Sequence, residues 1–200
     1  MSRVKIFALI TFAALSFSAD KVLAQQNIQK DLSMNGKISP YGIAGQQAPE
    51  LEVTKWVDGE GQPTDPILLA NNKDKFQVIY CFQAWCPGCH SRGLPALKKM
   101  SAALKDNPNV TFTAIQTVFE GAHANTYQRL LEIQEEYALD IPFGHNTPEE
   151  GERLPSTMKG YKTGGTPWFI LIDQNGKVIF NDFHLNADKA IEYLKTIEKA

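Results

Sequence analysis

The chain has 200 residues, 43% of them hydrophobic, with 20 basic and 22 acidic side chains and a formal net charge of −2. That balance, without any long like-charged run, gives no electrostatic basis for binding nucleic acid or an anionic membrane surface. Three cysteines are an odd number and too few for a disulfide-stapled scaffold, and the length suits one domain with a full hydrophobic core.

Residues 1–24 read as a secretory signal peptide. Arg3 and Lys5 supply its basic region, and Ile6 to Phe17 an apolar run broken only by Thr11 and Ser16. Val22-Leu23-Ala24 supplies a cleavage site. The apolar run is short of the roughly 20 residues that span a bilayer, and Asp20-Lys21 ends it. The mature chain is expected to start near Gln25, exported and without stable membrane insertion. An uncleaved signal that anchors the chain to a membrane is the alternative. Residues 25–44 are polar, carry Gly36, Pro40 and Gly42, and are expected to form a flexible leader. Residues 45–200 are expected to form the folded domain.

Leu51 to Val57 alternates apolar and polar residues, as a strand does. Asp58 to Pro63 is a turn, and Ile67-Leu68-Leu69 a short return segment. Phe76 to Phe82 is a continuous apolar and β-branched run, the pattern of a central strand covered on both faces. Past Cys86 and Cys89, apolar residues at 94, 97, 100 and 104 recur at helical spacing. Pro95 is expected to kink that helix early, and Asn107-Pro108-Asn109 stops it. Val110 to Ile115 is a further strand, Thr126 to Tyr137 a second amphipathic helix, and Ile141 to Phe143 a short strand. Residues 146–163 are a loop with one helical turn. Trp168–Asp173 and Lys177–Asn181 flank Gln174-Asn175-Gly176, a hairpin signal. Ala187 to Glu198 closes the chain as a helix. This order predicts an α/β fold with a central mixed β-sheet flanked by helices.

The chemistry-bearing segment is Trp85-Cys86-Pro87-Gly88-Cys89. Two cysteines separated by two residues can close a small, reversible disulfide. A zinc site would need further ligands, and only His90 is adjacent, so metal binding is not expected. Farther on, Gly164-Gly165-Thr166-Pro167-Trp168 leads directly into Phe169-Ile170-Leu171-Ile172.

In this order the two segments resemble the thioredoxin superfamily, most of all its exported TlpA- and ResA-type members. The resemblance covers roughly residues 45–198. The opening Ala44-Gly45-Gln46-Gln47-Ala48-Pro49-Glu50-Leu51 is similar to one shared by that group and the peroxiredoxins. The resemblance implies a thioredoxin fold with an N-terminal β extension and a central helix–strand insertion. It implies an exported thiol–disulfide oxidoreductase that reduces protein disulfides, in the periplasm of a Gram-negative bacterium, recharged by a membrane thiol electron donor. No cofactor beyond the Cys86–Cys89 disulfide is implied.

Within that resemblance, Cys86 stands where the central strand gives way to a helix, and Pro87 loses no hydrogen bond at the first helical position. The helix N-terminus favours a negatively charged sulfur there, making Cys86 the accessible nucleophile and the more buried Cys89 the resolving thiol. Trp85, Pro87, Gly88, Thr166 and Pro167 are the substrate-binding residues, with a cis Thr166–Pro167 bond offering a peptide edge to an extended partner. Cys81 is expected to be an inert, buried small hydrophobe. His90 is expected to be a partly exposed helix residue able to assist Cys86 electrostatically, and Trp168 to lie beside Pro167.

Two departures stand out. Thioredoxin carries a buried aspartate in the strand ahead of its first cysteine; here Tyr80 holds that place, which leaves proton transfer to water or to a residue such as Glu120. Pro95 also falls one residue later than is usual, so the helix start is expected to be distorted. A peroxiredoxin-type peroxidase is the alternative enzyme, but Gln83 and Ile79 stand where its threonine and proline belong. A non-catalytic binding module is the other alternative, opposed by the intact cysteine pair.

Overall fold

A computed structural model describes residues 23–197. The expected signal peptide, apart from its last two residues, lies outside them, as does Glu198. Among the described residues no helix is long and apolar enough to cross a membrane.

Seven strands form one mixed sheet: β1 Lys55–Val57, β2 Pro63–Thr64, β3 Phe76–Phe82, β4 Val110–Thr117, β5 Phe143–Asn146, β6 Trp168–Ile172 and β7 Val178–Asp182, in the order β2-β1-β5-β4-β3-β6-β7. β3 runs parallel to β4, and β4 to β5, whereas β6, β7, β1 and β2 join antiparallel. The helices are α1 (residues 23–32), α2 Leu94–Ala103, α3 Tyr127–Tyr137, α4 Ser156–Tyr161 and α5 Ala187–Lys195.

Every residue of β3 is buried, because the strand lies between two apolar layers. Val78, Tyr80 and Phe82 face Leu94, Leu97 and Met100 of α2, Leu130 and Ile133 of α3, and Leu194 of α5. Ile79 and Cys81 face the opposite layer, built from Trp56, Tyr161, Trp168 and the segment through Ile43, Leu51 and Val53. This period-two division puts Cys81 and Tyr80 on opposite faces of the sheet.

The leader is not the flexible segment its composition suggests. Leu32 and Ile43 are buried in the two layers, and Ser33 forms a bridge with Leu185. The following stretch covers the outer edge of β7: Gly45 N–H donates to the Val178 carbonyl at 2.8 Å, and Val178 N–H to the Gln46 carbonyl at 2.9 Å. Gln25 adds a side-chain bond to the Ile179 carbonyl at 2.9 Å. A bare edge strand would otherwise offer these groups to another chain.

Other boundaries shift for local reasons. The return strand is Pro63–Thr64 rather than residues 67–69; Leu69–Asn72 is a 3-10 turn instead, held by the Glu50 carboxylate, which accepts the Leu69 and Ala70 N–H groups at 2.5 and 3.2 Å. β5 begins at Phe143, after Pro142, which has no N–H to donate and whose carbonyl accepts from Ala114 at 3.0 Å. The helix that carries the cysteines starts at Pro87 and passes through a π turn, Cys89–Gly93, before becoming α2. That turn absorbs the late Pro95: one additional residue enters the coil, and Leu94 N–H bonds to the Cys89 carbonyl five residues back.

Candidate active site

The two sulfurs lie where β3 ends and a helix begins. Cys86 immediately precedes the first helical residue, Pro87, and its Sγ accepts the Cys89 N–H at 3.2 Å, in the manner of an N-cap side chain. The Cys86 carbonyl accepts Cys89 N–H at 3.0 Å and His90 N–H at 3.3 Å. All three thiols are free. Cys86 retains 7% exposure and Cys89 none, so Cys86 is less open than expected of the accessible thiol, yet is the one nearer solvent. Burial pushes the Cys89 thiol up to about 12, and its hydrogen bond with Cys86 adds to the rise. The Gln83 main-chain N–H and the Tyr80 hydroxyl act on it in the opposite direction.

The second segment closes over the first. The Thr166–Pro167 peptide bond is cis, and the Cys86 thiol reaches the Thr166 carbonyl at 3.6 Å. A Cβ on Gly88 would lie 3.3 Å from Pro167 Cδ, so Gly88 lets the helix start pack against the proline ring. Trp85 stands 46% exposed beside these residues, its indole laid over Gly121, where a Cβ would lie 3.1 Å from Nε1. Trp168 is fully buried and donates its N–H to Asn181 Oδ1.

A crystal structure described as that of a thioredoxin-like superfamily protein superposes with a TM-score of 0.67 and 32% identity, over 77% of this chain and 98% of that one. The chain belongs to the thioredoxin-like superfamily. A thiol-disulfide isomerase from Corynebacterium glutamicum matches at 30% identity and a TM-score of 0.65, over 75% of this chain and 93% of that one. The thioredoxin domain of a thiol-disulfide oxidoreductase from Bacteroides vulgatus shares the fold, at 20% identity, a TM-score of 0.57, and 76% and 95% coverage of the two chains. No protein-family model and no curated protein matches the chain.

In this thioredoxin-like site two of the expected residues make contacts other than those expected. The Glu120 side chain is exposed at the turn after β4 and takes no part in the contacts around Cys89; its main-chain carbonyl is what joins the site, accepting from Gln83 Nε2 at 3.1 Å and Asn125 Nδ2 at 3.0 Å. His90 does not turn towards Cys86. Its Nε2 meets the Ala84 carbonyl at 2.6 Å and its Nδ1 the Tyr137 hydroxyl at 2.8 Å, so both ring nitrogens hold the loop ahead of Cys86 in place.

The main positioning residue that the motif does not reveal is Asn125. Its Oδ1 accepts the Ala84 N–H at 2.7 Å, and its Nδ2 donates to Gly121 as well as Glu120, at 3.0 Å each. It is 1% exposed, and it ties the residue before Trp85 to the loop on which Trp85 rests.

Proposed function

We propose that this thioredoxin-like protein is a thiol–disulfide oxidoreductase that reduces disulfides in other proteins through Cys86 and Cys89. The observation that carries this reading is the pairing of the two thiols at a helix start. The Cys86 sulfur takes an N–H from the first turn, and Cys89 stands buried behind it. The positive end of the helix suits a charged, attacking sulfur. Cys86 attacks a substrate disulfide, one substrate thiolate leaves, and a mixed disulfide forms. Cys89 then attacks Cys86 Sγ, releasing the second thiolate. The dithiol loses two electrons and two protons; the substrate gains both and departs as two thiols.

The Thr166–Pro167 edge and the exposed Trp85 flank Cys86 and are proposed to seat the partner segment, with Pro87 and Gly88 lining the contact. Export to a Gram-negative periplasm is proposed from the basic, apolar and cleavage regions of residues 1–24. In that oxidising compartment a reductant needs recharging, for which a membrane thiol donor is proposed.

The test is turnover of a protein disulfide by the chain from Gln25 onward. Cys86→Ser should abolish it. Cys89→Ser should accumulate a covalent adduct through Cys86, identified by mass spectrometry of peptides. Undiminished turnover in Cys86→Ser would sink the reading.

A further inference from the structure

Tyr80, Gly93 and the π turn form one device around Cys89. Tyr80 projects from β3 into the layer beneath the helix start, fully buried, with its ring stacked on Phe82 at 5.9 Å and tilted on Phe169 at 4.7 Å. Its hydroxyl reaches the Cys89 carbonyl at 3.4 Å, at the long end of a hydrogen bond. That carbonyl already accepts the Leu94 N–H across the π turn. The bond from Tyr80 holds the buried phenol oxygen against the main chain of the residue that carries the second sulfur.

Room for the phenol comes from Gly93. A Cβ at that position would lie 2.6 Å from Tyr80 Cζ and closer still to the hydroxyl oxygen, so any larger residue would displace the ring. Gly93 has ordinary right-handed helical angles, so no unusual backbone conformation calls for a glycine there. The close approach of Tyr80 does. The widened turn and the missing side chain thus act together to admit a phenol beside the second thiol.

We propose that the Tyr80 hydroxyl turns its proton from the Cys89 carbonyl, which keeps the Leu94 N–H, to the Cys89 sulfur, and so stabilises the Cys89 thiolate as it attacks the mixed disulfide on Cys86. This rests on the exchange reaction proposed above. The proton lost by Cys89 leaves with the departing substrate thiol, and the Cys89–Cys86 bond forms as the Cys86–substrate bond breaks. Tyr80 gives up no proton. Burial, and then the neighbouring Cys89, raise its hydroxyl well above the ordinary range, so it remains a neutral donor throughout. Beside the Gln83 main-chain N–H, the phenol supplies a second donor to an anionic sulfur that burial would otherwise leave poorly solvated at the moment of attack.

The test separates the two chemical steps. An aromatic disulfide reagent with a coloured thiol leaving group first reacts at Cys86, and a second coloured thiol is then released when Cys89 resolves the adduct. Tyr80→Phe keeps the ring and its stacking. It should leave the first phase unchanged and slow the second roughly ten-fold or more, the loss expected for a hydrogen bond to a charged group. Ring-fluorinated tyrosine at position 80, a stronger donor of nearly the same size, should speed the second phase and decides the matter if Tyr80→Phe does not fold. A second phase unchanged in both variants, or both phases slowed equally, overturns the role of Tyr80 while leaving the exchange reaction standing. Absence of the first phase in the unaltered protein overturns both.

Discussion

Asn125 Oδ1 accepts the main-chain N–H of Ala84 at 2.7 Å across a separation of 41 residues, and both residues are buried. The bond fixes the segment leading into Trp85 and Cys86 to the loop after β4, and the same amide donates to both the Glu120 and Gly121 carbonyls. Replacing Asn125 with Ala leaves the Ala84 N–H buried without a partner. Unfolding free energy should fall by about 1–3 kcal/mol, read by urea denaturation. Disulfide turnover should fall with it, because the loop that presents Cys86 loses its tie. Unchanged stability would mean that solvent reaches the Ala84 N–H.

Gly121 is the second hold on that loop. Its φ of +58° lies in the left-handed region, and the Trp85 indole occupies the space a side chain would need. Gly121→Ala should cost about 1–2 kcal/mol for the backbone alone. It should also shift the tryptophan fluorescence as Trp85 is displaced. A spectrum identical to that of the unaltered protein would show that Trp85 does not rest on this glycine.

Cys81 should be dispensable. It lies on the face of β3 opposite Tyr80, in the layer with Ile79, Trp168 and Tyr161, and burial drives its thiol far above the ordinary range. Cys81→Ala should lose about 1–2 kcal/mol as a small core truncation and keep full disulfide turnover. Loss of turnover in a folded Cys81→Ala protein would give the third thiol a part in the reaction.

Stability should decline at both ends of the pH scale, through different groups. The Cys89 thiol is raised from an ordinary value of 9.0 to about 12, chiefly by burial. Its contribution is fully present below about pH 9. It is lost as pH rises towards 12, because the unfolded thiol releases its proton first, at roughly 1.4 kcal/mol per pH unit. His145 behaves in the opposite sense. Burial, and then the nearby Lys55, lower it from 6.5, so its contribution is present above that value and lost as the pH falls below it. Urea unfolding across a pH series checks both limbs. Cys89→Ala should flatten part of the alkaline limb, and His145→Gln part of the acid one.

The sheet, the helices and the two chemical segments were legible because each is written locally. The apolar run of β3, the helical spacing of Leu94, Leu97 and Met100, and the Cys86-Pro87-Gly88-Cys89 motif need no knowledge of what packs against them. The parts that escaped depend on approach between distant residues. Nothing in Asn125 announces that Ala84 will need its oxygen, and nothing in Gly93 announces a phenol arriving from β3. Glu120 looked chemical by residue type, but the turn after β4 sends its carboxylate outward and leaves its carbonyl at the site. The leader misled through composition. Two apolar anchors, Leu32 and Ile43, and a row of main-chain bonds to β7 suffice to dock a polar segment. The displaced Pro95 is an irregularity visible in the sequence itself, and the π turn is its structural consequence.

The most direct test of the central claim is a redox titration of the intact protein, read by mass spectrometry after trapping of free thiols. One two-electron transition is expected, in which Cys86 and Cys89 join while Cys81 stays free, with a midpoint of about −270 mV, the range of a reductant. Failure of Cys86 and Cys89 to form a disulfide at any potential would contradict thiol–disulfide exchange at this site. A midpoint of about −120 mV would contradict its reducing direction.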